Sequence, residues 1–149
     1  MKIEAQIDAD LKQAMLAGDK DKAETLRGLK SALHNAAIAA NAQTNGLSDE
    51  QVQKILASEA KKRAEAADVY QQANELDRAN KELAEKGVIE VYLPDMLGEE
   101  ELSSLIDKYI AAIKPSGMAD MGKVIGAVKA EAGAAADGAT IARLVKEKL

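Results

Sequence analysis

The sequence predicts an all-α protein, with an N-terminal helical hairpin or bundle followed by a compact three-helix C-terminal domain. The chain of 149 residues holds thirty alanines but only three tyrosines, no phenylalanine and no tryptophan. Alanine favours helices, whereas strands prefer β-branched and aromatic residues. In most segments apolar residues recur every three or four positions, as they do on one face of a helix. The strand-like run 87–93 finds no partner strand in the sequence, so we expect a helix end followed by an extended connector.

The first two segments predict an antiparallel helix pair. In the first, apolar residues recur every four positions until Gly18-Asp19 breaks the pattern. The second runs from about residue 20 to 42 and ends in the polar stretch Asn41 to Gly46. The residues expected on the inner faces are Ile3, Ile7, Leu11, Met15, Leu26, Leu29, Leu33, Ala37 and Ala40.

A third helix is expected after Ser48, because a serine followed three residues later by Gln51 can cap two backbone amides reciprocally. The pattern stutters around Asn74 and then resumes, which predicts either a bend or a fourth helix. The apolar positions expected to face inward are Val52, Ile55, Leu56, Ala60, Ala66 or Ala67, Tyr70, Leu76, Ala79 and Leu83.

Pro94 marks the expected boundary between two parts, residues 1–93 and 94–149, because a proline disfavours helical conformation in the residue before it. The second part predicts three helices. The first begins with the acidic run Glu99 to Glu101, which complements the positive end of a helix dipole, and ends at Pro115. The last helix has Asp137 as its N-cap. The expected core residues are Leu102, Leu105, Ile106, Tyr109, Ile110, Ile113, Met121, Val124, Ile125, Val128, Ile141, Leu144 and Val145.

Composition excludes several classes of protein. The 20 basic and 25 acidic residues give a net charge of −5, which excludes a strongly basic nucleic-acid binder. The chain has no cysteine, and His34 is its one histidine, so thiolate metal sites and cysteine nucleophiles are absent. Neither a Gly-x-Ser-x-Gly turn nor a phosphate loop ending in Gly-Lys-Ser/Thr occurs. We therefore expect no cofactor, no metal, no catalysis by the chain alone and no membrane partner, with a cytoplasmic location.

Two basic groups are candidates for phosphate contact. Arg27, Lys30 and His34 lie at i, i+3 and i+7 on one stripe of the second helix, and the run Lys61-Lys62-Arg63 is the densest positive stretch of the chain. One interpretation is a solvated edge with local ion pairs, such as that of Glu59 with Arg63. The other is a phosphate-binding patch that spans two neighbouring helices. For His34 alone, we expect a structural or merely exposed role.

The segment from Asp120 to Gly126 places two glycines inside a helical pattern. Each glycine costs about 1 kcal/mol relative to alanine, so something must offset the cost. One account is a groove at Gly122 and Gly126 into which another helix, the last one, packs closely. The other is an exposed helix start whose backbone, together with Lys123, meets an anion or another backbone.

Several motifs, taken together and in order, resemble the GatB/YqeY family. The stretch Tyr92-Leu93-Pro94 before an acidic run, and the stretch Asp120-Met121-Gly122-Lys123-Val124-x-Gly126, are the most specific of them. Where the family commonly has Arg-x-Asp-Leu, this chain reads Glu75-Leu76-Asp77-Arg78, and Gly98 stands at a usual serine cap. The remaining matched positions are Arg27, Lys30, Leu33, Lys62, Arg63, Tyr70, Leu102, Gly133, Asp137 and Gly138.

The resemblance implies a free-standing protein similar to the C-terminal tail region of the B subunit of glutamine-dependent tRNA amidotransferase, a region that contacts tRNA. It implies tRNA, or a tRNA-handling enzyme, as partner. The family is often described as carbon–nitrogen ligases with glutamine as amido-N-donor, chemistry that lies outside the tail region. The expected RNA-binding residues are Arg27, Lys30, Lys62, Arg63 and Lys123. The expected structural residues are Tyr92, Pro94, Asp120, Gly122, Gly126, Asp137 and Gly138.

Two alternatives stay open at this point. One is a helical protein-interaction scaffold, in which the glycines and the leucine stripes meet another helix. The other is an accessory to a carbon–nitrogen ligase, which would stimulate glutamine-dependent ammonia release.

Overall fold

The structure is a computed structural model that describes residues 2–149. Over these residues it holds seven α-helices, two short 3-10 turns and no strand, which confirms the all-α prediction. The residues form two compact units, one that ends at Leu93 and one that spans Pro94–Leu149. The helices are α1 (Lys2–Ala17), α2 (Lys20–Ala39), α3 (Asp49–Gln72), α4 (Leu76–Glu90), α5 (Glu99–Ile113), α6 (Met121–Ala132) and α7 (Gly138–Lys148), and the 3-10 turns are Met118–Asp120 and Gly133–Ala135.

The core of the first unit lies where α1, α2, α3 and α4 meet. α1 and α2 pack together across a two-residue turn, in which Gly18 has a φ of 74°, a left-handed value that glycine adopts at little cost. Leu47, in the loop before α3, is buried as deeply as the helical residues. The buried apolar cluster comprises Ile7, Leu26, Leu29, Leu33, Leu47, Val52, Leu56, Ala60 and Ile89.

Local signals set the ends of α3. The Ser48 hydroxyl accepts a hydrogen bond from the amide of Gln51 at 3.2 Å, and the Gln51 side chain accepts one from the amide of Ser48 at 2.9 Å. This is the predicted capping box. After α3 the chain reverses through Asn74, whose φ is 60°, so the stutter there is a helix break and α4 is a fourth helix. α3 and α4 pack through the buried alanines Ala67 and Ala79.

Four apolar positions predicted to face inward are exposed, namely Met15, Ala40, Leu76 and Leu83. Ala40 lies just beyond the end of α2, at its C-cap. The prediction is wrong for Met15 because residues four apart are separated by about 400° around a helix. Over the three steps from Ile3 to Met15 the direction of the side chain therefore turns by about 120°. Ala14 is buried in its place. Leu76 and Leu83 lie three and four positions from buried Ala79, about 60° and 40° away around the helix, yet both are exposed. The small alanine contacts α3, and the leucines are left outside.

The second unit is built from α5, α6 and α7, each of which packs against the other two. α5 ends at Ile113, where Lys114 adopts a φ of 52° before Pro115. The amide of Leu97 donates to the carbonyl of Ala135 at 2.8 Å, which fastens the start of the unit to the turn after α6. The buried residues are Leu102, Ile106, Val124, Val128, Ile141, Leu144 and Val145.

Candidate nucleic-acid interface

The basic residues of α2 have different surroundings. The ammonium of Lys30 lies 2.7 Å from the carboxylate of Asp8 on α1, and both side chains are about half exposed. Arg27 is exposed, and within residues 2–149 no carboxylate pairs with it. His34 is also exposed. Of this group, Arg27 alone keeps its charge uncompensated by an ion pair.

Two shallow grooves border these residues. Arg27 and Lys20 line a groove of about 450 Å³ at the turn between α1 and α2, together with Asp19 and Glu24. The carboxylate of Asp19 accepts a hydrogen bond from the amide of Lys22 at 3.2 Å, so it already caps the first turn of α2. A second groove of about 330 Å³ is bordered by Lys30 and His34. Arg27 and Lys30, only three positions apart on α2, thus border different grooves.

The run on α3 forms a clamp, which we call the Arg63 clamp and define as Glu59, Lys62, Arg63 and Glu85. Arg63 is hydrogen-bonded to the carboxylate of Glu59, lies 3.7 Å from Glu85 on α4, and has a side chain only 20% exposed. Lys62 lies 3.2 Å from Glu59. Burial raises the pKa of Glu59, but the hydrogen bonds from Arg63 and Lys62 outweigh burial and hold it below its usual value.

The ion pairs of the two basic groups involve different helices. The ion pair of Lys30 joins α2 to α1, whereas that of Arg63 joins α3 to α4. Arg63 is committed to carboxylates of its own chain, so the interpretation as local ion pairs describes it better than a phosphate contact. Lys62 shares the same carboxylate but remains largely exposed.

Asp120 fastens the turn before α6. Its carboxylate accepts hydrogen bonds from the amide of Ser116 at 2.9 Å and from the Ser116 hydroxyl at 2.8 Å, and it lies 3.3 Å from the ammonium of Lys123. The Ser116 amide is the largest cause that lowers the pKa of Asp120 to about 2. Lys123 itself is 71% exposed.

The two glycines of α6 lie on its exposed face. A Cβ atom built on Gly122 or Gly126 would meet nothing within 4 Å. The predicted groove, with the last helix packed into it, is therefore wrong, because the buried face of α6 is formed by Val124 and Val128 instead. We call the surface formed by Gly122, Lys123 and Gly126 the α6 glycine face.

The close approach in this unit occurs at Gly138, the first residue of α7. A Cβ atom there would lie 3.1 Å from Cε and 3.2 Å from Nζ of Lys129. The side chain of Lys129 therefore leaves α6 and passes over the start of α7. Asp137, at the N-cap position of α7, accepts from the hydroxyl of Thr140 at 3.4 Å.

Tyr92 ties the end of the first unit to α1. Its hydroxyl donates to the carboxylate of Asp10, 82 residues earlier in the chain. Burial, followed by the contact with Asp10, raises the pKa of Tyr92 well above its usual value. Tyr92 is followed two residues later by Pro94, the first residue of the second unit. Both residues thus lie where the chain leaves the first unit.

Sequence reasoning missed one juxtaposition on α2. Gly28 follows Arg27 inside the helix, and a Cβ atom on it would meet nothing within 4 Å. An exposed glycine in a helix interior beside a basic residue therefore occurs on α2 as well as on α6. The signal was present in the sequence, as a glycine inside a helical pattern next to an arginine.

Two further features of the described residues bear on the kind of site. Across residues 2–149, no group of three or more histidine, cysteine, aspartate or glutamate side chains is arranged to hold a metal ion. In the same range no helix combines the length and the apolar character that crossing a membrane requires.

Comparison with known proteins assigns the chain to a family. The family model described as "Yqey-like protein" matches residues 4–149, nearly the whole chain, and confirms the resemblance carried by the sequence motifs. A curated relative, "Altered inheritance of mitochondria protein 41, mitochondrial" of Clavispora lusitaniae (strain ATCC 42720), is 28% identical over 112 residues. The match covers 74% of this chain and 64% of the relative, so the chain spans less than two thirds of that protein.

Proposed function

We propose that this chain, which belongs to the Yqey-like protein family, is a non-catalytic module that binds tRNA, or a tRNA-handling enzyme, by contacting the RNA backbone. The proposed contacts are the α6 glycine face and the neighbourhood of Arg27 and Lys30. The proposed place of action is the cytoplasm, a reducing compartment that suits a chain without cysteine.

The α6 glycine face is the observation that carries the proposal. A glycine inside a helix costs about 0.5–1 kcal/mol relative to alanine. Gly122 and Gly126 have open space where a Cβ atom would lie, so no packing within residues 2–149 offsets that cost. Because the Cβ atoms are missing, a partner could approach the helix backbone closely at these two positions.

The charges on this face suit a phosphate backbone. Among residues 2–149, Lys123 is paired only with Asp120, at 3.3 Å, and it remains largely exposed. The largely exposed ammonium leaves room for a phosphate on the side away from Asp120, whose carboxylate is held by Ser116. The Lys123 ammonium can therefore reach an RNA phosphate beside the open helix surface.

Arg27 and Gly28 give the first unit a similar combination. The guanidinium has no ion pair within the described residues, and the adjacent glycine leaves the helix surface open. Recognition would depend on shape and backbone, because base-paired RNA presents little readable sequence in its accessible groove. Stacking of bases on aromatic side chains is hardly available to a chain with three tyrosines.

A titration with bulk tRNA, followed by fluorescence anisotropy at about 50 mM and about 200 mM salt, tests the proposal. We expect binding at the lower salt concentration that weakens at the higher one. Lys123→Glu and Arg27→Glu should each weaken binding about tenfold. Lys54→Glu is the matched control, because Lys54 is also about two thirds exposed and is paired, at 3.6 Å, with the carboxylate of Glu50. Absence of any shift with the native chain at about 50 mM salt would refute direct binding.

A protein-interaction scaffold is the second candidate, because the same open helix surface could receive a partner helix. The two candidates differ in the role of charge. Binding to a protein that survives Lys123→Glu but is lost in Gly126→Ala, without any shift of tRNA, would favour the scaffold.

A further inference from the structure

Lys129, in the last turn of α6, lies on the same side of the helix as the two glycines of the α6 glycine face. Gly122, Gly126 and Lys129 occupy positions i, i+4 and i+7, and residues seven apart differ by about 20° in direction around a helix. Lys123 lies about 100° from Gly122 in the other direction. The glycines are therefore bordered by one lysine on each side.

No carboxylate of the described residues pairs with Lys129. Its side chain is exposed, and it forms no ion pair within residues 2–149. The one acidic residue of α6, Glu131, accepts hydrogen bonds from Lys108 at 3.1 Å and from Tyr109 at 3.2 Å on α5. Asp120 is held by the turn before α6 and by Lys123. The charge of Lys129 is thus available to an anion from outside.

The Lys129 side chain lies against the start of α7, at Gly138. A Cβ atom on Gly138 would lie 3.1 Å from Cε and 3.2 Å from Nζ of the lysine. Both distances are shorter than the optimal separation of about 3.5–4.0 Å between carbon atoms. The lysine can take this position because residue 138 has no side chain, and a larger residue there would push the ammonium away.

The position of this ammonium is unfavourable in the chain alone. The N-terminus of a helix carries a partial positive charge, which favours anions and disfavours cations. The acidic side chain that adjoins Gly138 is Asp137, whose carboxylate accepts from the hydroxyl of Thr140 at 3.4 Å and makes no cap bond to the helix amides. An anion bound beside Lys129 would turn this unfavourable placement into a favourable one.

We propose that Lys129 is a second phosphate contact of the α6 glycine face, and that Gly138 positions its side chain. This inference rests on the proposed function, which supplies RNA as the partner. Lys123 and Lys129 are six positions apart, about 9 Å along the helix axis, so they would contact different phosphates of one backbone laid over the glycines. Gly138 acts only through Lys129.

The salt dependence of tRNA binding to the full chain tests the second contact. Fluorescence anisotropy between about 50 mM and about 200 mM salt gives the slope of log K against log salt, which reports the number of phosphates contacted. We expect Lys129→Ala to weaken binding several-fold and to reduce the slope by about 1.

Lys146→Ala is the matched control for this variant. Lys146 is exposed, forms no ion pair within residues 2–149 and lies in the last turn of α7, eight positions or about 12 Å along the axis from Gly138. The change in net charge is the same, but we expect affinity and slope to stay as in the native chain.

Gly138→Ala separates positioning from contact. The methyl group displaces the Lys129 ammonium without removing its charge, so it should weaken tRNA binding several-fold in the native chain and have no effect in the Lys129→Ala background. The midpoint of urea unfolding should not fall, because alanine suits a helix better than glycine and the displaced atoms end a flexible side chain. Equal weakening in both backgrounds overturns the positioning role.

The outcomes distinguish this inference from the proposed function. A native chain that does not bind tRNA overturns both. Binding that Lys123→Glu weakens, but that Lys129→Ala affects no more than Lys146→Ala does, overturns the second contact and leaves the proposed function standing. A loss of affinity in Lys129→Ala without a change in slope likewise overturns it.

Discussion

The Arg63 clamp and the α6 glycine face both combine basic residues with a helix surface, but they differ in what meets the charge. In the Arg63 clamp, two carboxylates from two helices surround one guanidinium, and the side chain is mostly covered. On the α6 glycine face, a largely exposed lysine lies beside two glycines that no other part of the described structure approaches. The first arrangement is complete within the chain, and the second is open.

This difference shows that the density of positive charge along a sequence is a poor guide to an interface. The run 61–63 is the densest positive stretch of the chain, yet Arg63 serves to hold two helices together. The single Lys123 is a better candidate for an RNA contact, because the helix around it contains glycines that lower its stability. Four predictions test this contrast, from the largest expected effect to the smallest.

Replacement of the clamp arginine should have the largest effect on stability. Arg63→Ala leaves Glu59, whose side chain is 15% exposed, without its main donor. Loss of a partner for a group that is largely buried costs about 1–3 kcal/mol. Urea unfolding followed by helical circular dichroism should show this loss, with no change in affinity for tRNA.

Lys62→Ala is the matched control for the clamp. Its ammonium lies 3.2 Å from the same carboxylate, but its side chain is 65% exposed, so we expect a loss below about 0.5 kcal/mol. If both variants were equally stable and Arg63→Ala instead weakened tRNA binding, the clamp would be an RNA site and the contrast would fail.

Local features of the fold could be predicted because they depend on neighbours in sequence. The capping box of Ser48 and Gln51 is set by two residues three positions apart. The same holds for the acidic start of α5 and the apolar row of α7. Each is a matter of backbone geometry within one or two turns, which the order of the residues determines.

The candidate site was less predictable because it depends on distant residues. Arg63 finds Glu85 across the α3–α4 pair, 22 positions away, and no local pattern selects that glutamate over its neighbours. The exposed side of Gly122 and Gly126, by contrast, follows from the sequence, because each lies two positions, about 200° around a helix, before one of the expected core residues Val124 and Val128. The burial of Leu47, a loop residue, was equally hard to predict, since it depends on α2 and α3 together.

Filling the α6 glycine face should change stability and binding in opposite directions. Gly122→Ala and Gly126→Ala place methyl groups in open space on a regular helix, so each should raise the free energy of unfolding by about 0.5–1 kcal/mol. The same methyl groups would hold a phosphate backbone away from the helix. We expect the double variant to melt later and to bind tRNA several times more weakly.

Gly87→Ala on α4 is the control for this pair of effects. Gly87 is also an exposed helical glycine with open space around it, so the gain in stability should be similar. Its basic neighbour, Lys86, is paired with Glu90, and we expect tRNA binding to stay unchanged. A double α6 variant that gained stability and kept its full affinity would remove the main support for the proposed interface.

Acid should loosen the turn before α6 by a smaller amount. The pKa of Asp120 falls from 3.8 to about 2 on folding, chiefly through the Ser116 amide. The contribution of this carboxylate is therefore complete above about pH 4 and is lost as the pH falls towards 2. Asp120→Asn should lower stability at pH 7 and flatten its decline between pH 4 and pH 2, as measured by urea midpoints. Because Lys123 loses its carboxylate, tRNA should bind slightly more tightly; weaker binding would mean that Asp120 positions the interface.

The smallest expected effect concerns Gly98, the N-cap residue of α5. Its φ of −67° and ψ of 159° are open to any residue, and a Cβ atom there would meet nothing within 4 Å. A serine hydroxyl can accept a hydrogen bond from a first-turn amide, so Gly98→Ser should stabilise the chain by a few tenths of a kcal/mol. The nearby cation, Arg143, is already paired with Glu99 and Glu147, so thermal melts should shift while tRNA binding does not. If this variant weakened tRNA binding as much as Gly126→Ala, an exposed glycine would affect RNA binding without a neighbouring lysine. The proposed role of Lys123 in the interface would then be contradicted.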